Sequence, residues 1–143
     1  MNVSQILKVK GDLVFTISPH ETVESASALL FSRRVGAMVV ISENEEVVGI
    51  LSERDVVRAV AKGGAEALTH PVSDYMSSQV VFAELSETIE ILLERMTDRR
   101  MRHFPVCRDK RLVGIISIGD LVKAKIAEAE RETEHLKAYI ATG

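Results

Sequence analysis

An internal repeat constrains this chain more than any other feature. Gly49-Ile50-Leu51-Ser52-Glu53-Arg54-Asp55 returns as Gly114-Ile115-Ile116-Ser117-Ile118-Gly119-Asp120. Upstream, Thr22-Val23-Glu24 returns as Thr88-Ile89-Glu90, and Arg33-Arg34 as Arg99-Arg100. The spacing between copies changes by one residue between these stretches, in the polar turns Ser42-Glu43-Asn44-Glu45-Glu46 and Arg108-Asp109-Lys110-Arg111. A hairpin tip is where a fold tolerates a length change best. The openings agree as well, Val3-Ser4-Gln5-Ile6-Leu7 against Val72-Ser73-Asp74-Tyr75-Met76. A duplication spread over 143 residues leaves room for one compact domain, or for two small ones sharing a core.

Each copy reads in the same order, β-α-β-β-α. A short β-rich stretch opens it (Val14 to Ile17; Val80 to Ala83), and a Thr follows that can cap a helix (Thr22; Thr88). Ile89, Leu92, Leu93 and Met96 then recur at the spacing of one buried helix face, with Val23, Ala26 and Leu30 as the weaker version in copy one. Two apolar strands flank each polar turn: Met38–Ile41 with Val47–Leu51, and Phe104–Cys107 with Leu112–Ile116. Ser52 and Ser117 end the second strands and start another helix. The division is copy one at 1–64, copy two at 65–126 with 65–71 as a Gly- and Pro-punctuated linker, and a helical tail at 127–143. Val122, Ile126, Ala129, Thr133, Leu136 and Ile140 form an apolar stripe that runs about four turns past the second copy, which points to a partner for the tail.

Composition narrows the function classes. The formal charge is −3, so no bulk attraction to nucleic acid or anionic lipid is expected. Cys107 is the one cysteine, which rules out an internal disulfide and a multi-cysteine zinc site, and on an apolar strand it reads as a small hydrophobe. No apolar run reaches the roughly 18 residues of a membrane span, and the first residues lack a secretion signal, so a cytoplasmic protein is expected. His20, His70 and His135 lie apart in sequence. Nothing assembles a metal site, a catalytic triad or an acid/base pair, so no enzyme and no required metal are expected.

The β-α-β-β-α order, the stretch Arg102-His103-Phe104-Pro105-Val106 and the paired Gly-x-x-Ser-x-x-Asp signatures resemble a tandem cystathionine-β-synthase (CBS) domain pair. The resemblance covers about residues 3–126 and is nearest the small stand-alone bacterial type. It implies an α/β (α+β) fold in which two CBS repeats pack as a pseudo-two-fold pair, here with a C-terminal helical extension. It also implies clefts between the copies that take adenosine-containing ligands: AMP first, with ATP, NAD(H) or S-adenosylmethionine as alternatives. Two such chains commonly associate, so a homodimer is expected.

The residues suit that chemistry. Asp55 and Asp120 can each accept from two vicinal ribose hydroxyls. Ser52 and Ser117 stand where a helix N-terminus offers N–H groups to a phosphate, with Arg54 and Gly119 in the same first turns. Ile50 and Ile115 can wall an adenine. Ser-x-x-Asp is equally a capping box, and the two roles are compatible if the carboxylate keeps an outward face. Arg102 and His103 have no charged counterpart in copy one, where Gly36 and Ala37 stand, and are expected as phosphate contacts; the two clefts are therefore chemically unequal. Arg99 and Arg100, matched by Arg33 and Arg34, read as helix-end charges. By the resemblance, Lys8, Lys10 and Gly11 line the cleft completed by Asp120, and Ser77 holds the corresponding place for Asp55; Val14 and Val80 open the β-rich stretches beside them. The expected function is an adenine-nucleotide sensor that signals through dimer geometry. The rival is a scaffolding module with vestigial clefts that binds a client protein.

Overall fold

The computed structural model describes residues 1–142. In chain order it runs α1 (Val3–Lys10), β1 (Thr16–Ile17), α2 (Val23–Arg33), β2 (Ala37–Ile41), β3 (Val47–Ser52) and α3 (Glu53–Gly63). Two short 3-10 turns follow, Gly64–Thr69 and Val72–Asp74. Then come α4 (Ile89–Arg99), β4 (His103–Arg108), β5 (Arg111–Ser117) and α5 (Ile118–Thr142). The β-α-β-β-α order read from the sequence is present in copy one, copy two has α-β-β-α with one isolated bridge in place of its first strand, and the helical extension is the continuation of α5 rather than a separate element.

The compact units are not contiguous in sequence. Leu13–Val81 forms one, and Met1–Asp12 joins the chain from Phe82 onward in the other. Each unit thus combines the body of one copy with the lead-in of the other. These packing units cut across the division into 1–64 and 65–126 expected from the sequence.

In the Leu13–Val81 unit, β1 pairs in parallel with β2, and β2 pairs antiparallel with β3. The core is Ile17, Ala26, Leu30, Met38, Val40, Leu51 and Val72, with Phe15, Val56, Tyr75 and Met76 packed against it. Helix α2 starts because the Thr22 hydroxyl accepts from the Ser25 N–H, and it ends at Arg34 in the left-handed region (φ 54°). The Arg33 guanidinium lies 5.1 Å from the centre of the Phe15 ring, a cation–π contact.

In the other unit, β4 and β5 form an antiparallel pair, and Ala83 adds one parallel bridge to Val106. Val3, Ile6 and Leu7 of α1 are buried there, as are Ile89, Leu92 and Met96 of α4, Phe104 and Val106 of β4, Ile116 of β5, and Leu121 and Ala124 of α5. Thr88 caps α4, and Arg100 ends it in the left-handed region, matching Thr22 and Arg34. The β-rich stretch expected at Val80 to Ala83 is reduced to this single bridge. Val39 donates its N–H to the Phe15 carbonyl in the first unit, but the matching residue of β4 is Pro105, which has no N–H to give. The Phe82 carbonyl is also taken by Arg95 Nη2 at 3.0 Å.

A lead-in crosses β3 and β5 at the signature glycines. A Cβ on Gly114 would stand 2.8 Å from Leu7 Cδ2, and one on Gly49 would stand 2.6 Å from Met76 Sδ and 3.0 Å from the Ser77 carbonyl. The glycine of each signature is therefore required for close approach of the segment that lies across it.

Candidate functional site

The functional groups gather where β5 hands over to α5, and where β3 hands over to α3. At both places the strand ends on a Ser, and an Asp three residues on closes a capping box. Ser117 N–H donates to Asp120 Oδ2 at 2.8 Å, and Asp120 N–H donates to the Ser117 hydroxyl at 3.1 Å. Ser52 N–H donates to Asp55 Oδ2 at 2.8 Å, and Asp55 N–H donates to the Ser52 hydroxyl at 3.3 Å. Both boxes satisfy the first-turn donors that a helix otherwise leaves open.

Beyond the cap the two sites diverge. At the β5–α5 junction, Lys10 from the end of α1 donates to Asp120 Oδ2 at 2.7 Å and to the Ile115 carbonyl at 2.7 Å. The bonds to Asp120 from Lys10 and the Ser117 N–H both land on Oδ2, Oδ1 takes no hydrogen bond among the described residues, and the side chain is 19% exposed. Burial pushes the Asp120 carboxyl up, but the hydrogen bonds from Lys10 and from the Ser117 N–H, with the Lys10 charge, outweigh it and hold the carboxyl below the usual aspartate value. It is an anion with one open oxygen.

At the β3–α3 junction the corresponding carboxylate is consumed. Asp55 Oδ1 pairs with Arg58 Nη2 at 3.0 Å, Oδ2 also accepts from the Ser52 hydroxyl at 3.0 Å, and the side chain is 3% exposed. Ser77 of the other lead-in meets Ile50 through the backbone and makes no bond to Asp55 among the described residues. Its N–H donates to the Ile50 carbonyl at 2.9 Å, and it accepts from the Ile50 N–H at 3.0 Å. Arg58 escaped the sequence reading, although its position three residues beyond Asp55 on a helix was a visible signal for an ion pair.

The remaining expected residues are placed as follows in the fold. The Arg102 carbonyl accepts from the Ile118 N–H at 2.8 Å, which fixes the exposed Arg102 beside the first turn of α5. His103 opens β4 opposite Ser117. Gly119, exposed, lies in that first turn. Gly11 ends α1 at φ 96°, its N–H donating to the Leu7 carbonyl, while Lys8 is exposed without an ion pair among the described residues. In the Leu13–Val81 unit, Arg54 is exposed on the first turn of α3, and Val14 and Val80 are half-buried outside the strands. Cys107 is partly buried, and burial pushes its thiol up, away from nucleophile chemistry. Among the described residues no group of His, Cys, Asp and Glu is arranged to hold a metal ion, and no helix is long and apolar enough to cross a membrane.

Two like bodies, each with a helix, an antiparallel strand pair and a Ser-x-x-Asp helix start beside a glycine crossed by a lead-in, define a tandem module rather than a single-domain fold. The CBS domain pattern matches residues 9–62 and 72–127, so the chain belongs to the CBS domain family. The CBS domain-containing protein CBSX3, mitochondrial, of Arabidopsis thaliana is 32% identical over 99% of this chain and 72% of its own length. The crystal structure of the CBS-domain containing protein ATU1752 from Agrobacterium tumefaciens superposes with a TM-score of 0.85 at 43% identity, covering 87% of this chain and 92% of that one. That of the CBS domain protein PAE2072 from Pyrobaculum aerophilum, complexed with AMP, superposes with a TM-score of 0.74 at 25% identity over 84% of this chain and 89% of that one.

Proposed function

We propose that this chain is a regulatory CBS pair that binds one adenine nucleotide, AMP first among them, at the start of α5, and that the start of α3 is vestigial as a ligand site. The observation that carries this is the contrast between two carboxylates in equivalent caps. Asp120 keeps Oδ1 open beside Lys10, with Arg102 exposed where its carbonyl meets the first turn of α5, whereas Asp55 is buried and paired with Arg58. A ribose needs an accepting carboxylate, and a phosphate needs cations and a helix N-terminus. The first junction offers both, and the AMP complex of the Pyrobaculum relative makes a nucleotide the natural occupant.

The exposed apolar residues Val57 and Val60 on α3, and Val122 and Ile126 on α5, support association of two copies and transmission of occupancy through their geometry. The rival reading, a scaffold for a client protein, draws on the same exposed apolar residues together with the consumed Asp55. Thermal unfolding with AMP, ATP, NADH and S-adenosylmethionine separates the two. A ligand at 100 times its dissociation constant adds about 2.7 kcal/mol, so AMP raises the midpoint if nucleotide sensing is correct. A midpoint unmoved by all four favours the scaffold.

A further inference from the structure

Helix α5 is 25 residues long, and from Ala129 to Thr142 every residue is exposed. Its stripe Val122, Ile126, Ala129, Thr133, Leu136 and Ile140 steps strictly by four and three residues. That is the 3.5-residue period of a coiled-coil seam, with Val122, Ala129 and Leu136 in one core position and Ile126, Thr133 and Ile140 in the other. The helix already spends its opposite face on its own unit. Leu121 and Ala124 are buried, and Glu128 Oε1 accepts from the Met1 amino group at 2.6 Å. The seam itself is bare, with Ile126 54% and Ile140 76% exposed.

We propose that the tails of two copies of this chain pair through this seam as a short parallel, in-register coiled coil. The proposal rests on the homodimer reading and names its contact and orientation. Charge decides both. The seam is flanked by Lys123, Glu130 and Lys137 on one side and by Lys125, Glu132 and Tyr139 on the other. In a parallel pair each residue of the second flank meets the residue five positions on in the first flank of the partner. Glu132 then faces Lys137 of the second copy, and Lys125 faces Glu130. Lys125 is also held by Glu90 at 2.9 Å, so the Glu132–Lys137 pair, on the free part of the helix, carries the orientation. The antiparallel register that covers all six layers sets Val122 against Ile140. It brings Glu130 to Glu130, Glu132 to Glu132 and Lys123 to Lys137, like charges throughout.

The test uses the full chain with Cys107→Ser and Leu136→Cys. In the parallel register position 136 meets itself across the seam, within the Cα separation that a disulfide accepts. Mild oxidation is expected to give a covalent dimer. Lys137→Glu is expected to weaken dimerisation several-fold by sedimentation, and Glu132→Lys with Lys137→Glu to restore it. A dimer that neither cross-links at position 136 nor responds to Lys137→Glu overturns the tail contact while leaving the homodimer reading in place. A chain that sediments only as a monomer removes both.

Discussion

At the scale of single residues, Lys10 and Asp120 set the character of the β5–α5 junction. Lys10 ties the last turn of α1 to the Ile115 carbonyl and to the carboxylate at once, so one ammonium anchors a lead-in and holds the Asp120 carboxylate ionised. The sign of its pH dependence follows from the depressed folded value of Asp120. The associated stability is fully present above the ordinary aspartate value of about 3.9 and is lost as pH falls through the lower folded value. Lys10→Met removes the contact. The gap in urea stability between wild type and Lys10→Met is therefore expected to be constant from pH 5 to 7 and to close toward pH 3. A gap that stays the same at pH 3 places its origin in the apolar stem of Lys10 instead.

At the scale of elements, the sequence made the repeat, the helix starts and the paired strands legible, because each rests on local chemistry. Thr22, Thr88, Ser52 and Ser117 all cap the helices they precede, and Ile89, Leu92 and Met96 are buried as their spacing demanded. Less legible was whatever depended on contacts between distant segments. The crossing of Gly114 by Leu7 and of Gly49 by Met76 joins residues far apart in sequence. The single bridge at Ala83 depends on a proline in a neighbouring strand. The Asp55 and Asp120 signatures look alike in sequence, and only side-chain placement separates a buried, paired carboxylate from one with an open oxygen. Ser52→Ala and Ser117→Ala each break a capping box and are expected to cost about 1 kcal/mol in denaturant unfolding. A loss near zero for both means the boxes are dispensable to α3 and α5.

At the scale of the whole molecule, the duplication built two like bodies and then let their sites drift apart. One helix start kept an anion with an open oxygen beside Lys10, and the other paired its buried anion with Arg58. The outer faces of α3 and α5 stayed apolar at matched positions, Val57 and Val122, where a single chain leaves them in water. Sedimentation at micromolar concentration is expected to show a dimer of the 15.8 kDa chain; a 15.8 kDa species alone contradicts it.

The most direct measurement is isothermal titration of AMP into the wild-type chain, Asp120→Ala and Asp55→Ala. A charge-assisted bond to a ribose contributes roughly 1.5–3 kcal/mol, or about one to two decades of affinity. The open oxygen of Asp120 predicts a loss of that size in Asp120→Ala. The burial of Asp55 predicts that Asp55→Ala, although less stable, binds AMP within a few-fold of wild type. Equal losses in both variants, or a larger loss in Asp55→Ala, contradict a single nucleotide site at the start of α5.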